Sequence, residues 1–504
     1  MSAAPMTDLA GRPKVDGVAM SAPQATGRVL ELQTNSGQTL RVTAYGDGVV
    51  RVQAVGPAQA FFENTRYEMV TPENHQRMTG RFQVLDPGLT DALRLTLQSV
   101  QVEIRKNPVR LVFRQAGREA LAEKGGIDPG EAPSVDFAFD RPGEPAEHFA
   151  GLGHPDFGRL PDGLDLRGRT VRRNRSIEVG AFKQAPLLVP YYVSSRGYGV
   201  FVNSTFPNQF RLVGKESTQA PTEYRIRLEG GQMDYFFIAG PSLKQVLDRY
   251  TRLTGRPRMI PASALALNLS DKRMDGDTTL SHTNETFWRD RTRFMHESGI
   301  PFGGFVHDNG WRGSKDGPWR WDLGRYPNPA AFELFSKAEG MTSTLDFNRR
   351  NALASGFPQA FMIPGARETS ENPALAVEDF PDFTVPEIRR AFWTLMDRET
   401  FSKSPRFPGD FIWLDEFDFP VNPPGQQRNQ RTWKENANYY FFVLKQAVTE
   451  GWDSRFRGTR RPYVISRGST AGAQRFGYLW SGDLESTRGE MQDQIRGMLS
   501  AGLS

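Results

Sequence analysis

The chain has 504 residues, with 38% hydrophobic and 24% charged side chains, the make-up of an ordinary globular protein long enough for two or more domains. Its 63 Lys and Arg nearly balance 58 Asp and Glu, and the densest basic run, Arg169 to Arg175, reads as a solvated loop rather than the basic face that nucleic acid needs. There is no cysteine, so disulfides and thiolate metal sites are excluded; the six histidines show no metal-binding spacing, and no apolar run approaches the roughly 20 residues of a membrane span.

Residues 1–25 are small, polar and Pro-containing, without the continuous apolar core of a secretion signal, and read as a flexible tail. The chain is therefore cytoplasmic as read, and periplasmic or secreted if a signal has been removed. From Gly27, GRVLELQTNSGQTLRVTAYGDGVVRVQAV alternates apolar and polar residues and breaks at NSG and GDG, which are hairpin turns. LRLTLQSVQVEIRKNPVRLVFRQ, YYVSSRGYGVFVNS, EYRIRLEGG and MDYFFIAG continue the style. Short strands at close spacing predict a β-sandwich over 26–240, with the Gly/Pro-rich stretch from Gly117 to Gly168 as long loops.

After Pro241 the texture changes. SLKQVLDRYTRLTG has helical spacing and stops at Gly. Strand candidates ALALNLS, FGGFVHD, MTSTLDF, DFIWLDEFDF, PYVISR and QRFGYLW then alternate with helical segments such as ETFWRDRTRFMHESG, AAFELFSKAEG, VPEIRRAFWTLMDRET and NYYFFVLKQAVTEG. Such alternation means βα units and a parallel sheet, and predicts a (β/α)8 barrel over 241–504. The count reaches six units, so the barrel is expected to be incomplete at its C-terminal end and the chain to be the front part of a longer protein.

Active sites of such barrels lie at the C-terminal ends of the strands. Asp308, Asp415 and Asp483 fall there, each within three residues of a tryptophan, namely Trp311, Trp413 and Trp480. Flat aromatic faces suit the C–H faces of sugars, and carboxylates bind hydroxyls. Two carboxylates are also the minimum for glycoside hydrolysis, and retention of configuration needs them about 5 Å apart. Asp415 and Asp483 are the candidate pair. Arg467, at the end of VISR, is placed either to keep a carboxylate ionised or to form an ordinary surface ion pair.

The segments resemble glycoside hydrolase family 31, the family of α-glucosidases, α-xylosidases and sulfoquinovosidases. HFAGLGH is similar to that family's FYGLGE loop, and DYFFIAGPSLKQVLDRYTRLTGRPRMIP to its lead-in to the barrel. WLDEFD stands where the family has WxDxxE, and SRGSTAGAQRFGYLWSGD where it has SRSxxAGSQRYxxxWSGD. The resemblance implies a retaining α-glycosidase that needs no cofactor, with an oligosaccharide or glycoside substrate, Asp415 as nucleophile and Asp483 as general acid/base. It puts Asp308 on the aspartate that grips sugar hydroxyls, and Arg467 and Trp480 on pocket-lining positions. Asp418 stands where the family has a glutamate. The family's DxD pair is here Asp308-Asn309-Gly310, so one pocket carboxylate is lost. Arg312, in DNGWRG, is open to two readings, an anion ligand or an exposed loop arginine. A catalytically silent sugar-binding protein and a transglycosylase on the same fold are the alternatives, and oligomeric state stays open.

Overall fold

The computed structural model describes residues 26–76, 80–85, 91–138, 144–154, 165–167, 170–173, 187–212, 223–270, 283–312, 317–367, 377–402, 410–415, 417, 428–466, 468–482, 484 and 486–503. Among the described residues, no helix is long and apolar enough to cross a membrane.

The first half builds two sheets, one of ten strands and one of seven, whose strands are paired antiparallel. Alternate side chains explain how they stack. Along Met233–Ala239, Tyr235, Phe237 and Ala239 enter the core shared with the ten-stranded sheet, which includes Leu95, Val102, Leu111 and Phe113. Phe236 and Ile238 point the other way, into a second cluster. That cluster is closed by helix α1 (Leu243–Thr254), which contributes Val246, Tyr250 and Leu253. The seven-stranded sheet is thus covered on both faces, which is why every residue of this strand is buried.

The stretch expected as loops after Gly117 instead supplies strands Arg118–Asp128, Ser134–Ala138 and Phe149–His154. Gly151 there serves a bulge. Gly151 has φ +114 at a register shift between Gly151 and Gly153, and a Cβ on it would lie 2.8 Å from the Tyr191 carbonyl.

The second half is an open half-barrel of six parallel strands. They are β1 (Asn268–Ser270), β2 (Gly304–His307), β3 (Thr342–Asn348), β4 (Phe411–Asp415), β5 (Val464–Ser466) and β6 (Tyr478–Leu479), in that order across the sheet. The helices around it are α2 (Glu285–Glu297), α3 (Pro329–Ala338), the short α4 (Arg349–Ala354), α5 (Pro386–Met396), α6 (Trp433–Phe456) and α7 (Arg488–Ala501). Local sequence sets their starts. Asn284 and Asn328 cap α2 and α3 through their side-chain oxygens, and Thr432 and Thr487 do so for α6 and α7, each with a glutamate three residues on. An antiparallel pair, Met362–Arg367 with Val377–Pro381, interrupts the βα rhythm between α4 and α5 and was not expected from the sequence. The strand foreseen in QRFGYLW is shortened to two residues, because Ala473–Arg475 forms a 3-10 turn.

The two halves lock through the segment 66–71. Arg66 forms a two-pronged ion pair with Glu435 near the start of α6. Tyr439 donates to Glu68 Oε1 at 2.5 Å, and the Arg475 guanidinium donates to the Glu68 carbonyl at 2.5 Å. On the far side, Ser500 of α7 donates to the Gly151 carbonyl at 2.7 Å.

Candidate active site

Which side chains face the barrel interior follows from the two-residue period of a strand. Leu345 and Phe347 of β3 pack outward among the helices, as do Ile412 and Leu414 of β4, and Phe305 and His307 of β2. The opposite parity points inward: Thr344, Asp346 and Asn348 on β3, Trp413 and Asp415 on β4, and Val306 followed by Asp308 on β2. Register aligns them. Asp346 is the Cα partner of Trp413, and Asn348 that of Asp415. Three carboxylates, Asp308, Asp346 and Asp415, therefore stand on the inner side of three neighbouring strands at their C-terminal ends.

Trp413 is 7% exposed and meets Trp480 edge to face, with ring centroids 4.8 Å apart and planes at 84°. This pair lies one inward position below Asp415. Of the expected site residues, Trp413 and Trp480 are in ring contact, Asp415 ends the same strand as Trp413, and Asp308 follows β2, two strands away in the sheet. Asp483, Arg467 and Asp418 lie outside the described residues, as does Glu416.

The turn after β2 is held by an internal ion pair. Arg312 has a fully buried side chain; its Nη1 donates to Asp346 Oδ2 at 2.8 Å and to the Asp346 carbonyl at 2.5 Å. Its Nη2 donates to Asn309 Oδ1, and the Asn309 backbone N–H donates to Asp308 Oδ1 at 2.5 Å. Arg312 is therefore neither an exposed loop residue nor a free anion ligand: its charge is committed to Asp346. Asn309, the middle residue of the segment where the family has DxD, is an acceptor for that arginine, and Gly310 holds the place of the second carboxylate. Trp311, expected as a sugar platform, is wholly buried, with its indole NH on the Asp346 carbonyl at 3.1 Å and its ring against Phe347 and Trp321. It holds the turn up from below instead of offering an open face.

His307 sits directly before Asp308 but takes no part in acid–base chemistry. It is caged by Trp288, Trp321, Tyr326 and Phe332, and burial pushes its pKa down to about 3. Neutral at any working pH, it lies within 3.3 Å of the Tyr326 hydroxyl. Among the described residues, no cluster of three His, Cys, Asp or Glu side chains is grouped to hold a metal ion.

Asp346 and Asn348 are the members that sequence reasoning missed. Their signal was present in TSTLDFN, where polar residues alternate with Leu345 and Phe347. In a barrel strand, that polar side faces the interior.

A β-sandwich leading into a parallel barrel, with carboxylates and tryptophans at the strand ends, defines a protein of the glycoside hydrolase kind. The comparisons agree. The model described as "Glycosyl hydrolases family 31 TIM-barrel domain" matches residues 257–504, and that described as "Glycosyl hydrolase 31 N-terminal galactose mutarotase-like domain" matches 39–210. The chain belongs to glycoside hydrolase family 31. It is 24% identical to an α-xylosidase of Emericella nidulans, covering 94% of this chain and 62% of the relative. It is 25% identical to α-glucosidase 2 of Bacillus thermoamyloliquefaciens, over 82% of this chain and 53% of the relative. A family 31 dextranase of Flavobacterium johnsoniae has the same fold, with TM-score 0.76 at 19% identity, covering 94% of this chain and 58% of that one. The chain thus spans less than two thirds of each of these proteins.

Proposed function

We propose that the protein is a retaining, exo-acting α-glycosidase that releases a terminal α-linked sugar. The observation that carries this reading is the position of Asp415. It is inward-facing at the C-terminal end of β4, in register with Asn348 and directly above the Trp413–Trp480 pair. In this mechanism Asp415 attacks the anomeric carbon while Asp483 protonates the leaving oxygen. A covalent glycosyl–enzyme forms, and the Asp483 carboxylate then activates the water that releases the sugar with its original configuration. Asp308 grips hydroxyls of the bound sugar, the tryptophan pair takes its apolar face, and Arg467 and Asp418 line the same pocket. Trp311 acts from below, by fixing the turn that bears Asp308. Residues 26–240 form the supporting sandwich, and 241–504 the catalytic barrel.

The test is hydrolysis of aryl α-glycosides by the purified protein. Asp415→Ala should lose turnover by several orders of magnitude, and added azide should restore it by replacing the missing nucleophile. Undiminished hydrolysis in Asp415→Ala would remove the nucleophile assignment. Sugar binding without any turnover in the unaltered protein would favour the silent carbohydrate-binding alternative.

A further inference from the structure

The barrel holds a lysine that the glycosidase chemistry leaves unused. Lys445 of α6 has no exposed surface. Among the described residues its Nζ has one polar partner, the Gly468 carbonyl at 3.2 Å, and no carboxylate pairs with it. Its stem runs past Gly477, where an added Cβ would lie 3.2 Å from Lys445 Cδ. One helical turn earlier, Phe441 closes on Gly468, the glycine whose carbonyl Lys445 holds. A Cβ on Gly468 would lie 2.4 Å from the Phe441 ring, and Gly468 has φ +67, so neither the space nor the backbone admits another residue. Phe441 and Lys445 are four apart and lie on one helix face, so they grip Gly468 together.

Gly468 is the residue after Arg467, on the exit from β5. Two residues on, Thr470 reaches Met69 Sδ of the sandwich at 3.6 Å. An apolar side chain would fill the place of Lys445 without the cost of burying an amine. The amine adds a hydrogen bond to the backbone of Gly468, which follows candidate pocket residue Arg467 in sequence. We propose that Lys445 is a positioning residue: through the Gly468 carbonyl it fixes the exit turn of β5, and the proposed sugar pocket depends on that turn because candidate residue Arg467 is next to Gly468 in sequence. This rests on the glycosidase reading for its consequence, though not for the grip itself.

Burial pushes the Lys445 pKa down to about 7. Among the described residues, the charged and titratable groups on the elements packed around it are engaged elsewhere. Arg475 bonds to the Glu68 and Gly472 carbonyls, Glu450 accepts from Gln446, and the Tyr478 hydroxyl donates to the Arg258 carbonyl. The protonated amine makes the stronger, charge-assisted bond, so the grip weakens as pH rises through neutrality.

The experiment compares the unaltered protein with Lys445→Met in two readouts. Deuterium exchange over residues 462–476, corrected for intrinsic rates, should be faster in the variant at pH 6. The unaltered protein should approach the variant at pH 8. In kinetics on an aryl α-glycoside, KM should rise about tenfold at pH 6, as loss of one charge-assisted hydrogen bond allows, with kcat within about twofold. The rise in KM with pH should vanish in the variant. Its melting temperature should not fall, since a buried amine is removed; a purely structural residue would behave in the opposite way. Unchanged exchange over this segment at both pH values overturns the proposal. Faster exchange in a protein that cleaves no aryl α-glycoside supports the grip and refutes the glycosidase reading instead.

Discussion

Replacing Arg312 by Met tests whether the turn after β2 is held by charge. The substitution keeps much of the side-chain volume but removes the guanidinium that bridges Asn309 and Asp346. Asp346 is 0% exposed, so its carboxylate stays in the barrel interior after losing the ion pair. Removing one partner of a buried pair costs about 3–5 kcal/mol, far above the ~0–1 kcal/mol of a surface pair. Neutralising the survivor should recover much of that. Arg312→Met/Asp346→Asn should therefore lie above Arg312→Met alone, with a coupling energy of at least about 1.5 kcal/mol. Urea unfolding followed by tryptophan fluorescence is suited to the assay, because Trp311, Trp319 and Trp321 surround the turn. A loss below about 1 kcal/mol in Arg312→Met, or strict additivity in the cycle, would refute the reasoning.

Two further substitutions probe the packing beneath the site. Glu333 of α3 is fully buried and paired with Lys337 at 2.6 Å; burial, with repulsion from Asp410, pushes its pKa up to about 7. Its folded pKa lies above the unfolded value, so it favours folding most at low pH and loses that contribution as pH rises from about 4.5 to 7. Glu333→Gln should therefore gain stability relative to the unaltered protein between pH 5 and pH 8, by about 1–3 kcal/mol, in chemical unfolding at the two pH values. Gly451 of α6 lies under Trp393 of α5, where a Cβ would come within 2.0 Å of the indole. Gly451→Ala should destabilise by about 1–3 kcal/mol in thermal unfolding, despite alanine's roughly 1 kcal/mol advantage in helices.

How much of this was legible in the sequence depends on how local each signal is. The order sandwich, then alternating strands and helices, is written in hydrophobic period, and the half-barrel strands fall where that period put them. DFIWLDEFDF placed Asp415 at a strand end because Phe411 to Leu414 is an apolar run stopping at an acid. The errors came where tertiary contacts decide. After Gly117, Gly151 read as a loop former but is a bulge position inside paired strands, beside the Tyr191 carbonyl. Arg312 was open to two readings, an anion ligand or an exposed loop arginine, but its environment is set by Asp346, which lies on another strand and was not suspected. Trp311 has the composition of a sugar platform, yet the direction of its ring is fixed by the hydrogen bond to the Asp346 carbonyl. Asp346 and Asn348 were overlooked because a half-polar strand is ordinarily read as facing solvent. In a barrel, its polar side faces the pocket.

The account stands most directly on Asp415 becoming covalently attached to sugar. Incubation with a fluorinated α-glycosyl fluoride, which slows the second step more than the first, should arrest the glycosyl–enzyme. Peptide mapping should then find one added fluorosugar mass on the fragment containing Asp415. Time-dependent inactivation should follow the same course, and Asp415→Ala should take no label. A label on any other carboxylate, or steady turnover with the unmodified Asp415 peptide throughout, would contradict the account.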